Sequence, residues 1–503
     1  MATTTAKGRY LELARRRDPF LRRARECAAY TIPAILPPEG FTDYSSLPQP
    51  YSGIGARLVD HLVNKLVTAL YPPGMSSFRL TVAPEVLLKA GAEATPPDID
   101  RNLVLVEKLI NSEIEARQWR SATYSSLLHL CVTGNVMEQT LPDNTVRVFR
   151  LDQYVVVRSP SGVLLEFVIR ESHHRDSLPP NMQALTPTDG AEMAEQELYT
   201  WGKRQADGVW KIHQEINETP VPRSEGRWPV LPFRALRWSH IPGEAYGRGK
   251  VEDHLPDLKT VDGLTKAVIE GNAMAAKHYL MIRPNAAGGF NLRRRLAKAS
   301  NGDIIVGNPE DLGMLKFDNV SGMQIVEATL ERLTRFLMAS FLLNGGAQRD
   351  AERVTAYELR IITEELEGAL GGVYSSLSAD LQRERLRRLI IQMQDQKKLP
   401  MWPDGDVEPT ILTGLEALGR EKDVQRVVTA TELTQAMSPE AQLYIKWPVL
   451  LMKLMNGLGI PDAVNTEDEV QAKIAQQQQA ATVQEIAAKG GAEAVKQAVR
   501  PQQ

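Results

Sequence analysis

The stretch GEAYGRGKV, Gly243 to Val251, sets glycines and a lysine together in the manner of a phosphate-binding loop. That loop needs Gly-x-x-x-x-Gly-Lys-Ser/Thr, because its lysine reaches the outer phosphates and its hydroxyl holds magnesium. Here Val251 follows Gly249-Lys250, and Glu244 stands where the first glycine is required, so the segment reads as a glycine-rich helix entry. SGIGA, Ser52 to Ala56, lacks a preceding strand and the third glycine of a dinucleotide fingerprint, and reads as a helix start. His173 and His174, with Glu171 and Asp176 nearby, are adjacent on an expected strand; such side chains point to opposite faces and do not easily share one ion. His129 and Cys131, two apart on an expected helix, do not face one another. No nucleophile constellation is visible, and the expectation is a non-enzymatic chain with no catalytic residue, metal or cofactor. One polar stretch stays open: LLNGGAQRDAERVTAYELR, Leu342 to Arg360, sets paired glycines beside arginines. It could cradle a phosphate or join two helices.

These segments need elements to hold them. A chain of 503 residues with 43% hydrophobic residues predicts a folded protein of roughly three domains. A formal charge of −3 excludes a protein coated with lysine and arginine, so any DNA contact is local or weak. The two distant cysteines, Cys27 and Cys131, suit neither a disulfide framework nor a metal knuckle and suggest a reducing compartment. No apolar run approaches the roughly 18 residues that span a bilayer, and MATTTAKGRY has no signal-peptide core, which predicts a soluble, unexported protein.

From Tyr10 to Tyr30, Leu13, Phe20, Leu21, Ala24, Cys27 and Ala28 alternate with arginines 15, 16, 17, 22, 23 and 25. This predicts an amphipathic helix broken near Pro19, with the arginines on a solvated face. Ile54, Leu58, Leu62, Leu66 and Leu70 repeat at helical spacing, and a further helical region covers 99–132. Between 136 and 240 the period becomes that of strands, giving an antiparallel β subdomain around a Pro-Ser-Gly turn. A helix over 250–277 and another over 322–343 then bracket a small β module, so the module caps a helical hairpin. Thr355-x-x-Glu358 is a capping box for a long helix on which Leu366, Leu370, Leu377 and Leu381 share one stripe. Gly368, Gly371 and Gly372 interrupt that helix, so a kink or a close backbone approach must compensate. The chain beyond Pro400 reads as mostly helical, ending in a glutamine-rich tail low in large apolar residues.

Two of these segments, YGRGKVEDHLPDLKTVDGLTKAVIEG (246–271) and RDAERVTAYELRIITEELEGALGGVYSSLSADLQ (349–382), resemble the signature stretches of the head-to-tail connector, or portal, proteins of short-tailed (podovirus) bacteriophages. RARECAAYTIPAILPPEG (23–40) and TGLEALGR (413–420) are similar as well, in the family's order. The resemblance implies an α+β portal fold: a wing over 1–246, stem helices over 247–278 and 320–343, and a β clip over 279–319. A tunnel loop over 344–354, a long wing helix over 355–399, a crown over 400–475 and a flexible tail over 476–503 complete it.

By the same resemblance the protein is a subunit of a dodecameric ring at one capsid vertex of the virion, assembled in the host cytoplasm, through which double-stranded DNA is packaged and ejected. Its partners would be the packaging motor (terminase), a tail adaptor, and capsid and scaffolding proteins, with no membrane. A nucleotide-driven motor component and another structural ring such as a tail adaptor are the rival readings. On this view Gly345-Gly346 ends the second stem helix, and Gln348, Arg349 and Arg353 face the DNA. Arg293, Arg294, Arg295 and Lys298 of the clip would dock motor or tail. Charge fits a conduit: 247–277 carries five basic residues (248, 250, 259, 266, 277) and five acidic ones (252, 253, 257, 262, 270), whereas 279–317 has six basic against three acidic, a balance of +3. A neutral wall lets a polyanion slide, and a basic patch suits an acidic partner.

Overall fold

The computed structural model describes residues 5–42, 44–72, 76–82, 97–186, 195–275, 279–282, 312–315, 320–343, 356–400, 407–411 and 427–433, with isolated positions between and beyond them. The chain divides into two compact units, one of residues 1–75 and 114–398, the other of 76–113 and 399–503. Helices and antiparallel sheets are mixed throughout.

In the larger unit, α1 (Ala6–Ala29) opens on a Thr5 cap whose hydroxyl accepts from the Gly8 amide. Helix α1 runs unbroken through Pro19, contrary to the expected break. Its stripe of Ala6, Tyr10 and Leu13 packs on Val155, Val168 and Tyr199 of the sheet. The arginines are not one solvated face either. Arg17 falls on the apolar stripe, is buried, and donates to the Tyr10 hydroxyl and to the carbonyls of Leu151, Asp152 and Tyr154. Arg9 pairs with Glu166 at 2.7 Å and Arg23 with Glu252 at 3.3 Å.

Helix α2 (Ile54–Leu70) buries Leu58, Leu62 and Leu66, as its periodicity predicts. The expected helical region before 132 is two helices: α3 (Pro97–Ala116) and α4 (Trp119–Thr133), parted by Gln118 in the left-handed region. The strand region forms as expected. Strands β2 (Asn135–Thr140), β3 (Val146–Phe149) and β10 (Phe233–Arg237) make one sheet in the order β10-β2-β3. Strands β4 (Tyr154–Arg158), β5 (Leu164–His173), β6 (Gln196–Arg204), β7 (Trp210–Ile216), β8 (Thr219–Pro220) and β9 (Gly226–Trp228) make another. The β4–β5 turn closes on Gly162, whose φ of 87° suits the residue without a Cβ.

After a single helical turn, Lys250–Asp253, come α5 (Leu255–Ala275) and, past strands β11 (Tyr279–Ile282) and β12 (Leu312–Leu315), α6 (Val320–Ser340). Strands β11 and β12 pair antiparallel, Tyr279 opposite Leu315. The segment 302–308, which the sequence reads as a third strand, lies outside the described residues. The expected long helix after Thr355 is three pieces: α7 (Ala356–Leu370), α8 (Gly372–Ser378) and α9 (Glu384–Asp395), the last two joined by a π-turn over Ala379–Arg383. The break between α7 and α8 is Gly371, with φ 51°. Nothing approaches a Cβ at Gly368, Gly371 or Gly372, so backbone conformation and not close packing explains the interruption.

Behind these pieces lies a buried ion network. Glu138 of β2, wholly buried, pairs with Arg234 of β10 and Arg385 of α9 and accepts from Ser126. Burial alone would raise its carboxyl, but Arg385 and Arg234 together hold it below the ordinary range. Arg234 also donates to the carbonyls of Asp380 and Leu381 in the π-turn.

In the smaller unit β1 (Phe78–Val82) pairs antiparallel with β13 (Val407–Ile411), Phe78 opposite Ile411. The Leu80 amide donates to Glu107 of α3 at 2.8 Å. The sequence reading anticipated neither strand.

Candidate functional site

Helices α5 and α6 form an antiparallel two-helix arm. Leu255, Leu258 and Val261 are buried at the start of α5, and Leu337 and Phe341 at the end of α6. Away from this root no described residue of either helix is buried, although Gly271 and Met323 are close enough that a Cβ at 271 would meet the methionine at 3.1 Å. At the root the His254 ring lies between Phe336 and Phe341, with centroids at 6.1 and 5.3 Å. Burial holds its imidazole below the usual range, with the Lys250 charge adding to the effect.

The charges along α5 and just before it are paired, some within the helix and some with neighbouring segments. Arg248 pairs with Glu244 and Glu252, Lys259 with Glu26, Lys266 with Glu270, and Asp262 accepts from the Ser52 amide at 2.9 Å. Its apolar residues are not. Ile269 and Met274 of α5 are exposed, as are Ile325 and Phe336 of α6, the last two at 68% and 54%. A two-helix arm has no second layer to cover such residues.

The end of α6 departs from expectation. The sequence places the stop at Gly345-Gly346, but the helix ends at Ser340, and Leu342 takes the left-handed conformation with φ 60°. The Leu343 amide donates to Met338 O at 2.8 Å and the Leu342 amide to Ala339 O at 3.1 Å, the paired bonds of a Schellman cap. A non-glycine residue in this conformation costs on the order of 1–3 kcal/mol unless its surroundings enforce it. Here they do. The Leu342 carbonyl accepts from Lys65 Nζ at 2.8 Å and from His61 Nε2–H at 3.0 Å, both on α2. Lys65 also reaches Glu365 of α7 at 2.8 Å. One lysine therefore fastens the chain immediately before 344–354 and soon after it. Burial pushes the His61 imidazole below its usual range, and nearby Lys65 adds to the depression.

The chemistry-like motifs resolve into packing. Gly134, Gly247 and Gly249 meet at a backbone crossing. A Cβ on Gly134 would lie 2.5 Å from Arg248 C, and one on Gly249 would lie 2.6 Å from Cys131 O. Asn135 bridges the crossing, Nδ2 donating to Gly247 O at 2.8 Å and Oδ1 accepting from Gly247 N at 2.7 Å. The glycines of GEAYGRGKV thus let two chain segments touch. Gly55 of SGIGA does the same, its Cβ position 2.2 Å from Tyr30 O, at the start of α2 as its sequence suggested. His173 turns to Glu171 at 3.3 Å and His174 to Asp176 at 3.5 Å. Cys131 is buried and its thiol is pushed up by that burial, while burial pushes His129 down to about 4.

Of the residues singled out for DNA and docking, Gly345, Gly346, Gln348, Arg349 and Arg353 lie outside the described residues, as do Arg293 and Arg295. Arg294 and Lys298 are described, and both are exposed. The Lys65 clamp was missed in the sequence. Its signal is faint: His61 and Lys65 interrupt an apolar helix four residues apart, on one face.

Comparison with known proteins supplies the identity. A family model described as bacteriophage head to tail connecting protein matches residues 3–464. The portal protein of Escherichia phage T7 is 32% identical over 498 residues, covering 95% of this chain and 91% of that one. That of Enterobacteria phage T3 is 32% identical over 502 residues, covering 97% and 93%. Among solved structures, a chain from the neck of an empty GTA particle, computed with C6 symmetry, aligns with a TM-score of 0.38 at 13% identity, covering 75% of this chain and 86% of that chain. By its match along nearly the whole length, the chain belongs to the family of bacteriophage head-to-tail connecting proteins, the portal proteins.

Proposed function

We propose that this portal subunit works by geometry, closing with copies of itself into a dodecameric ring at one capsid vertex that passes DNA inward during packaging and outward during ejection. The carrying observation is the two-helix arm, which pairs its Lys259, Lys266 and Arg335 yet leaves Ile269, Met274, Ile325 and Phe336 exposed. Such residues find cover against the same arm of a neighbouring copy, and a heterologous contact that closes gives a ring and not a fibre. On this reading α5 and α6 are the stem and β11–β12 belong to the clip. The segment 344–354 is the tunnel loop, α1 and the large sheet are wing, and residues after 400 are crown. Arg349 and Arg353 would face the DNA, and Arg293 to Arg295 with Lys298 would meet motor or tail adaptor. The motor reading is disfavoured because the glycines it needs are occupied by the chain itself.

Negative-stain images and light scattering of the purified protein test the ring; a monomer mass at micromolar concentration refutes it. For the loop, 348–352 is replaced by a shorter glycine-serine link. Rings should still form, and heads built on them should begin packaging but retain DNA poorly. Full retention would make the loop a mere connector.

A further inference from the structure

We propose that the cleft between β10 and the α8–α9 segment, where four arginines without a salt bridge border an aliphatic lining, binds an acidic peptide segment bearing an apolar side chain, presented by another protein. The cleft has a volume of about 720 Å³. Val163, Leu164, Val230 and Leu231, partly exposed, contribute its apolar lining, over the buried Trp210, Phe233, Leu236 and Trp238. Arg158, Arg204, Arg237 and Arg388 line it as well, and among the described residues none of the four forms a salt bridge. Arg158 donates to the carbonyls of Gly162, Ala235 and Ala245, and Arg237 to that of Glu244. Carbonyls satisfy the donors of these two, and their charges are countered only at a distance, by Asp380.

Two carboxylates, Asp380 and Glu384, also line the cleft. A fifth arginine there, Arg234, shares the Glu138 carboxylate with Arg385. Leaving that buried network aside, the balance is four positive charges against two negative ones, in a chain whose overall charge is −3. Burial lowers Arg158 to about 10, with Arg237 adding to the effect, so the pair sits close enough to repel. Gly162 permits this crowding, since a Cβ there would lie 2.9 Å from the Arg237 guanidinium and 3.1 Å from His240.

The lining selects the ligand. A duplex presents phosphates but keeps its apolar surface stacked inside, so it would leave Val163, Leu164, Val230 and Leu231 uncovered and bring phosphates against Asp380 and Glu384. A peptide can seat one apolar side chain on this aliphatic lining while its carboxylates reach the arginines, bidentate where geometry allows.

The test titrates the full-length protein into a fluorescein-labelled peptide of alternating glutamate and leucine. A glutamate-serine peptide of equal charge and a labelled DNA duplex serve as comparison probes. We expect saturable binding of the leucine peptide that weakens with salt, at least tenfold weaker binding of the serine peptide, and at least tenfold loss in Arg237→Glu and Arg388→Glu. Arg16→Glu, on the exposed side of α1, should bind as the parent does. Where Arg237→Glu does not fold, Arg204→Glu, at an exposed position, reads the same loss. Equal binding by the cleft variants, equal binding of the serine peptide, or displacement of the leucine peptide by the duplex overturns the proposal.

Discussion

Changing Glu138→Gln removes the negative charge held between two buried guanidinium groups while keeping the side chain's shape and an acceptor for Ser126. Removing one partner of a buried ion pair costs about 3–5 kcal/mol, because the surviving charge stays out of water without compensation. Arg385 has no escape: it is wholly buried, and Thr123 at 2.6 Å, the face of Trp119 and the Tyr71 hydroxyl are neutral groups that cannot replace a carboxylate. Arg234 is 12% exposed and keeps two carbonyls, so its share of the loss is smaller. We therefore expect about 4 kcal/mol, which at a urea m-value of about 3 kcal/mol per molar shifts the midpoint down by more than about 1 M. Far-UV circular dichroism during urea unfolding measures it. Arg385→Met should cost a similar amount. The double variant Glu138→Met/Arg385→Met should cost less than the sum of its singles by at least about 2 kcal/mol, since it removes both charges together. Additive losses, or a Glu138→Gln midpoint within about 0.3 M of the parent, would refute the reasoning.

Acid should act first through His129. Its folded value near 4 lies below the unfolded one, so the unfolded state binds the extra proton, and stability falls as pH drops from about 6.5 towards 4. The loss is on the order of 2 kcal/mol between pH 7 and 5, and His129→Gln should flatten that part of a pH series of urea midpoints. The Glu138 contribution has the depressed-acid sign: it is complete at neutral pH and is lost only as pH falls through a folded value below the ordinary carboxylate range. Gly134→Ala should abolish soluble protein, because its Cβ would enter the Arg248 backbone; Gly243→Ala, at φ 85° with open space around it, should cost about 1–2 kcal/mol. Lys65→Met keeps the aliphatic stem and loses the clamp, and hydrogen exchange at the Leu342 and Leu343 amides should accelerate at least tenfold while the α2 amides stay protected. Arg293, Arg294 and Arg295 changed together to glutamate should leave rings intact in electron micrographs and block packaging.

Elements with one strong period were legible. The stripes of α1 and α2 follow from burial on one face, which the sequence writes directly, whereas the strands were legible as runs of β-formers between turn residues, since β2 and β4 bury successive residues. Arg17 was misread because its type says surface while its position, four from Leu13 and Leu21, says core; four acceptors reward the burial. Pro19 was misread in the other direction. A proline removes one donor and one carbonyl's partner, and the packing of α1 on the sheet outweighs that loss. The stop of α6 at Leu342 was hidden because it is enforced by side chains nearly three hundred positions away in sequence, while the obvious Gly-Gly lies just beyond. The pairing of β1 with β13 has the same cause, since nothing local marks two five-residue strands that are partners across the chain. The glycines of GEAYGRGKV read as a helix entry, but their use at a crossing with Gly134 and Asn135 depends on the fold.

An arm buried only at its root behaves as a lever. Helix α6 has 21 residues and so extends about 31 Å, and a tilt of about 5° at Leu337 and Phe341 carries its far end through about 3 Å. The pairing of α5 with α6 travels with the arm, so among the described residues only the ties of Lys259 to Glu26, Asp262 to Ser52 and Lys266 to Tyr51 have to give. Repeated around an axis, the same small rotation would change the bore of a ring as an iris does, and the fulcrum would be the short patch of side chains where the arm meets α2 and His254.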